Sequence, residues 1–548
     1  MQSTGAPARN RQERSTGAGA HPMVFAAASA LAVLISNVSG MATGDDGVGY
    51  RAIADSLLRG DGYGYFLERP VTVWPPIWPS LMAVVAWMTP LDTMGAVILL
   101  NSAVAFCVVL AGNRLLRQVV ENERLVLLGT LVVAFGPSTI GLGHVLMTDM
   151  AFALVVMVWM LTLMRFRVTA SIPTLVLTGL WAWVGFGLRY VGLVLIVFGG
   201  LWLLLDGRRS WLTRIRNGAI YGVVSCIAPI AWMLRNHSID DTYTGERHPS
   251  ARGLVDNGFD IAATLGRFLL PGLGNGFTKI WAAIGILVLG VAMFLAWKLL
   301  RLAPPSADGT PAAPLGLGAM IRHRIHLLGT PVGLLLLFPT LYLAYMLYVR
   351  TTTALNQLDL RLLYPAYFPL LVLALVLIDR LRRLDTGELV EPGEPGGDHW
   401  WRIGWTTAHV WAVANVAAGA VGMVAFAAGH PYFNGNYEAD VFQRVRSNPA
   451  LDALPADCRI YSNLPNGLYP AYGALWSPER RALESSEEVP DLAEITATLD
   501  DTPSCLVWID EDPVYGHLWT LDQLRERLTL TELSQDGDVM VFRMQPPT

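Results

Sequence analysis

The sequence predicts a mostly α-helical membrane protein, a polytopic bundle of about 11 spans followed by a small C-terminal α/β domain. Three observations predict it. Of the 548 residues, 53% are hydrophobic and only 15% charged, where a soluble domain carries about a quarter charged. Apolar runs approaching the roughly 20 residues that a span needs recur between 23 and 428, and arginines gather in alternate connections. Charge also divides along the chain. From residue 431 onward there are 20 Asp and Glu against 8 Arg and no Lys, so the tail stands near −12 and the remainder near +7. That balance gives a membrane body, with membrane lipid around it, joined to an acidic water-soluble domain, and it points away from nucleic acid as a partner.

In order, residues 1–22 are rich in Arg, Ser and Gly and read as a disordered cytoplasmic arm. With the apolar run 23–42 they mimic a secretory signal peptide. An uncleaved first span is preferred, and either reading puts the loop 43–93 on the same far side of the membrane. Within that loop the apolar run 77–88 starts after Pro75 and Pro76 and contains Pro79. A dozen residues are too few to cross, so it is expected as a short helix lying in the interface. The spans are then 23–42, 94–113, 125–143, 149–166, 171–188, 190–206, 217–235, 279–300, 327–349, 362–379 and 404–428. This register puts the clusters Arg9/Arg11/Arg14, Arg114/Arg117/Arg124, Arg165/Arg167, Arg208/Arg209/Arg214/Arg216, Arg301/Arg322/Arg324 and Arg380/Arg382/Arg383/Arg402 in the cytoplasm. Counting 77–88 as a span would invert most of them. The N-terminus is therefore expected inside and the tail, 429–548, outside a multi-pass plasma membrane protein.

The stretches 304–317 and 388–398 read as Pro/Gly-rich linkers without chemistry. In the tail, 458–461, 505–510 and 539–544 look like strands, while 491–499 and 521–528 look helical, the second capped by Thr520. Cys107 and Cys226 lie in apolar runs as packing residues. Cys458 and Cys505 each open a strand-like run; their pairing is left open, since it depends on an oxidising compartment.

With the topology set, polar residues collect at the outer ends of the spans. Asp45 and Asp46 follow the first span; two adjacent carboxylates repel, and no structural need calls for both. His144 and Asp149 sit between the third and fourth spans, and Arg189 in the tight turn between the fifth and sixth. Arg235 and Asn236 end the seventh, Lys279 begins the eighth, and Asp359 and Arg361 precede the tenth, where they are able to pair with each other. Arginine runs against the charge rule on that side and binds phosphate bidentately. Such a set facing acids suits an anionic lipid substrate. Asp55 and Asp61 are expected to be solvated, and Tyr63 and Tyr65 to be interfacial. A transporter or flippase of a lipid-linked glycan is the alternative, but it would place charge at mid-membrane in repeated halves, where these spans have almost none.

The first loop, with an acidic pair, then Tyr50, the helix AIADSLLRG and a PP-x-x-P run, resembles that of the GT-C glycosyltransferases. Its nearest likeness is to the branch of protein O-mannosyltransferases and lipid A aminoarabinose transferases. TDM at 148–150, and RN at 235–236 followed by TGERHPS, are similar to further family loops. The resemblance implies transfer of a sugar from a polyprenyl-phosphate donor to a hydroxyl of a lipid, glycan or protein acceptor. It implies Asp45 as general base, with Asp46 holding the acceptor or its partner. Asp149, His144 and Tyr50 would line the substrate site, and Arg189, Arg235, Lys279 and Arg361 would steady the leaving phosphate. Some distant members bind a divalent metal; none is expected to be obligatory here. The family pattern is DE where this chain has DD, with one residue fewer before the tyrosine, which leaves the choice of base between Asp45 and Asp46 open. Asn463 and Asn466, in YSNLPNGLY, are expected in an acceptor-contacting loop.

Overall fold

The structure, a computed structural model, describes residues 20–65, 69–269, 277–301, 328–385, 398–429, 436–510 and 515–547. Most of the N-terminal arm and of the two expected linkers lies outside the described residues. The membrane part runs α1 (Ala20–Ser36), α2 (Asp45–Arg59), β1 (Gly64–Tyr65), β2 (Arg69–Pro70), α3 (Ile77–Met88), α4 (Thr93–Val119), α5 (Glu123–Phe135) and α6 (Pro137–Gly143). It continues with α7 (Asp149–Thr169), α8 (Ile172–Leu188), α9 (Leu193–Leu205), α10 (Trp211–Asp240), α11 (Leu254–Leu269), α12 (Thr278–Arg301), α13 (Pro331–Thr352), α14 (Leu360–Asp385) and α15 (Asp398–Ala427).

Each expected span overlaps helix, although 125–143 is divided between α5 and α6 and the first helix ends at Ser36, six residues before the expected end of its span. Among the described residues, seven helices are long and apolar enough to cross a membrane, and the others are shorter apolar helices. α5 stops at Gly136 because Pro137 cannot donate to the ladder, and the chain restarts as α6. The run 77–88 is a 12-residue helix, as its length and prolines required; at 1.5 Å per residue it spans about 18 Å, short of a bilayer core. Trp78 and Met82 bury one side of it, while Trp87 and Met88 lie exposed on the other.

α11 has no counterpart among the expected elements, because a single amphipathic helix in a polar loop has no span-length apolar run. It packs against α12 almost backbone to backbone. A Cβ at Gly266 would stand 2.1 Å from Trp281 O, and one at Gly285 1.9 Å from Ala262 O. Small residues permit such close helix contacts in membranes. Gly285→Ala is expected to lower stability by about 1–3 kcal/mol through overpacking, read as a lower thermal midpoint in detergent. Gly290→Ala, five residues on and with open space around it, is expected to change nothing; equal midpoints for the two variants would refute the close contact.

The C-terminal part comprises α16 (Asp440–Arg446), β3 (Arg459–Ser462), α17 (Pro465–Leu468), β4 (Leu475–Trp476), α18 (Asp491–Thr498), β5 (Ser504–Ile509), α19 (Leu521–Arg525), β6 (Thr529–Asp536) and β7 (Val539–Gln545). The five strands form one mixed sheet in the order β4-β3-β5-β7-β6, with β3 parallel to β4 and β5, and β7 antiparallel to β5 and β6. Cys458 and Cys505 are disulfide-bonded, joining the start of β3 to its neighbour β5. Thr520 caps α19 in a full capping box with Gln523. Strand alternation splits β5: Leu506 and Trp508 face a core with Ile495 and Leu524, and Val507 and Ile509 face the opposite core.

That second core also includes Val48 and Ala52 of α2, while Tyr50 and Ala54 of α2 belong to the core of the membrane bundle. Each pair is four residues apart and so shares a helix face. α2 is thus held between bundle and C-terminal domain. Arg51 pairs with Glu438 at 3.0 Å, and the wholly buried Arg350 of α13 pairs with Glu484 at 2.9 Å. Asp55, expected to be solvated, accepts from Thr93 and from Tyr469 of the C-terminal domain. Tyr63 donates to the backbone carbonyls of Trp74 and Pro75 at 3.1 and 3.0 Å.

Candidate active site

Backbone pairing brings the acids together. Ala42 N–H donates to His144 O and Leu146 N–H to Ala42 O, both at 2.9 Å, so the approaches to α2 and α7 run side by side. Asp45 and Asp46 then open α2, and Asp149 opens α7, where unsatisfied N–H groups favour carboxylates. Glycines make room: a Cβ at Gly47 would stand 2.8 Å from Leu146 O, and one at Gly49 2.4 Å from the Trp74 ring.

Asp46 Oδ1 accepts from Trp74 Nε1 at 3.2 Å, and its Oδ2 from Arg361 Nη2 at 3.3 Å. Asp149, 1% exposed, is paired with Arg189, which also donates to Thr148 Oγ1 at 3.3 Å. Arg361 Nε stands 3.6 Å from Asp149 Oδ2. One guanidinium therefore links the acids of both helices. Asp359, a possible partner of Arg361 by sequence, instead accepts from Leu362 N–H at 3.1 Å in the first turn of α14.

Asp45 is placed differently. Its Oδ1 accepts from Tyr437 Oη and Asn466 Nδ2, both at 2.7 Å, and among the described residues no group donates to Oδ2. The residue keeps accessible surface although protein crowds it on most sides, as a carboxylate on the wall of a recess does. Desolvation raises its pKa above the ordinary carboxylate value; the Tyr437 and Asn466 hydrogen bonds oppose the rise, Asp46 adds to it and Arg361 offsets it.

Tyr50 is buried beside this cluster, edge-on to Trp74 with ring centroids 6.0 Å apart. Asp45, Asp46, Tyr50, Asp149, Arg189 and Arg361 are thus gathered in one place. Arg235 is at its margin: it donates to Val71 O and lies over the Trp232 ring, 4.6 Å from the centroid, fastening the first loop to α10. His144 faces away, 3.1 Å from Asn37 Oδ1 and stacked on Phe426. Lys279 is exposed in the first turn of α12. Of the expected acceptor loop, Asn463 clamps the backbone of Ile509 and only Asn466 reaches an acid.

Two residues of the recess were not among the expected site residues. Tyr437 is an unremarkable tyrosine in an acidic tail, and its contact with Asp45 spans 392 positions. Arg247 had been one basic residue of a polar loop. It is exposed, hydrogen-bonds Thr244 O at 2.7 Å, and lies within electrostatic reach of Asp46, Tyr190 and Tyr345. Pro76, Phe186, Gly187, Ala228 and Trp232 line an apolar cavity of about 320 Å³ between α8 and α10. Among the described residues, no three His, Cys, Asp or Glu side chains group as a metal site.

No protein-family model matches the chain, and no curated protein matches it. Solved structures do. ArnT from Cupriavidus metallidurans bound to undecaprenyl phosphate aligns over 95% of this chain and 97% of its own, with TM-score 0.55 and 14% identity; the apo form gives 0.56. The Archaeoglobus fulgidus oligosaccharyltransferase tethered to an acceptor peptide aligns over 96% of this chain and 74% of its own, with TM-score 0.51 and 11% identity. The fold is thus similar to that of these two solved structures. Within this fold the acidic cluster lies where the C-terminal domain meets the bundle, and α2 contributes to both.

Proposed function

We propose that the chain transfers a sugar from a polyprenyl-phosphate donor to an acceptor hydroxyl at the outer face of the membrane, inverting the anomeric carbon. One observation carries the choice of base: among the described residues Asp45 alone of the three acids has no ion pair and keeps Oδ2 without a donor, while Asp46 and Asp149 are tied to arginines. The acceptor O–H gives its proton to Asp45 Oδ2 as its oxygen bonds the anomeric carbon. The bond from that carbon to the phosphate oxygen breaks, and the electron pair leaves with the polyprenyl phosphate. A phosphate is already a stable anion, so no general acid is needed, only cations near its developing charge.

Of the arginines, Arg189 and Arg361 are already engaged with carboxylates, whereas Arg235 and Arg247 have no carboxylate partner among the described residues. Arg247 is accordingly the first choice for the donor phosphate, and the apolar cavity beside Trp232 suits the start of its lipid chain. Arginines stand around Asp46 and Asp149 where a metal would need open carboxylate oxygens, which supports a reaction with no obligatory metal. The ArnT structure bound to undecaprenyl phosphate supports a lipid-phosphate ligand for the fold. The Cys458–Cys505 bond supports an oxidising, extracytoplasmic side for the C-terminal domain.

The test is transfer of labelled sugar from a polyprenyl-phosphate donor in membranes, wild type against Asp45→Asn. Arg247→Ala is expected to raise the donor KM on the order of tenfold, the worth of a charged hydrogen bond, with acceptor KM unmoved. An unchanged donor KM would take Arg247 out of the site.

A further inference from the structure

We infer that the C-terminal domain completes the base: Tyr437 and Asn466 act as positioning residues that hold Asp45 by Oδ1 and present Oδ2 to the acceptor. This inference rests on the reading of Asp45 as general base.

The geometry leaves little freedom. Tyr65 Oη donates to Asn466 Oδ1 at 3.2 Å, so the Asn466 amide is turned with its Nδ2 toward Asp45, which it reaches at 2.7 Å. Tyr437 donates its hydroxyl proton to Asp45 Oδ1, because an ionised carboxylate only accepts. Tyr515 Oη, 3.3 Å from Tyr437 Oη, then serves as donor to Tyr437. Both donors are themselves fixed. Tyr437 N–H donates to Thr43 O at 2.9 Å, two residues before Asp45, and Asn466 is 3% exposed at the start of α17. Two donors on one oxygen lock the carboxylate plane and leave the other oxygen as the only proton acceptor. No residue of the membrane bundle is hydrogen-bonded to Asp45 among the described residues. Both donors to the base therefore come from the soluble domain, with Tyr65 of the first loop orienting one of them, and a bundle without that domain docked has the acids but not the aim.

The charged and titratable groups facing Asp45 are Asp46, Arg361, Tyr65, Tyr437 and Tyr515. Both positioning hydrogen bonds favour the ionised form, so removing either makes Asp45 easier to protonate. Activity that depends on the carboxylate is lost as pH falls, and this acidic limb moves to higher pH.

The experiment measures labelled-sugar transfer from a polyprenyl-phosphate donor by the full-length protein, across pH, for Tyr437→Phe and Asn466→Ala. Each is expected to move the acidic limb of kcat/KM upward by about one pH unit. Each should also lower kcat on the order of tenfold through misalignment, with donor KM unchanged. Glu484→Gln separates this from simple loosening of the domain. It removes the charge from the contact with the buried Arg350, and neither residue is among the groups that act on Asp45, so it should lower the thermal midpoint and leave the limb in place. A limb that stays put in both Tyr437→Phe and Asn466→Ala, or moves as far in Glu484→Gln, overturns the inference. Full transfer by Asp45→Asn would instead remove the reading beneath it.

Discussion

Asp45→Asn is expected to reduce sugar transfer on the order of 10²–10⁴-fold, the usual worth of a positioned general base, and to leave the protein folded. The amide keeps the shape of the carboxylate, and its carbonyl oxygen still accepts from Tyr437 and Asn466. It has no lone pair basic enough to take the acceptor proton. Stability moves the other way from activity. The folded-state pKa of Asp45 is raised above its unfolded value, so its charge costs stability above the unfolded value, and that cost fades as pH falls through the folded one. At neutral pH the asparagine variant is therefore expected to melt no lower than wild type. Asp46→Asn serves as the comparison, since both Asp46 oxygens already have donors in Trp74 and Arg361; its loss should be smaller and should disturb Arg361. The wild-type rate should also decline on the acid side from a higher pH than an ordinary aspartate would give. An Asp45→Asn enzyme retaining more than a tenth of wild-type kcat would mean another group removes the proton.

The helices were legible because crossing a bilayer imposes a length and a composition that survive in one sequence. The 77–88 run was legible as too short for the same reason. α11 was not, since its partner is a matching pair of small residues on α12, Gly285 and Ala282, and such a pairing leaves no run to read. In the recess, Asp45, Asp46, Asp149, Arg189 and Arg361 could be chosen because charge at a span end is costly unless used. What could not be chosen was who pairs with whom. The Arg361 guanidinium makes its ion pairs with Asp46 and Asp149, 315 and 212 positions off along the sequence, while Asp359, two residues away, is reached only at longer range. Tyr437 and Asn466 reach Asp45 from another domain; Asn466 stood out only as part of a polar loop, and an uncharged donor such as Tyr437 in a soluble tail carries no cost that marks it. His144 followed the charge rule yet turned to Asn37 and Phe426, because a neutral imidazole fits a buried helix junction.

Arg361→Gln is expected to destabilise the protein more than any other single change in the recess. Its guanidinium is, among the described residues, the one group bridging Asp46 and Asp149, whose side chains are 34% and 1% exposed. Without it, Asp149 has Arg189 alone, and the like charge of Asp46 nearby is uncompensated. Removing one partner of a buried ion pair costs about 3–5 kcal/mol, because the remaining charge is left desolvated. The measurement is the thermal midpoint in detergent, alongside transfer activity. Adding Asp149→Asn to Arg361→Gln removes the stranded charge and should recover most of the lost stability, so the two changes will be far from additive. Arg361→Lys should recover little, since an ammonium cannot span two carboxylates as a planar guanidinium does. Transfer is expected to stay low in all three variants, because in each of them Asp46 has lost the group that holds it beside the base. A double variant that regained stability and activity together would show that Arg361 only balances charge; stability without activity would show that it also sets the geometry in which Asp45 works.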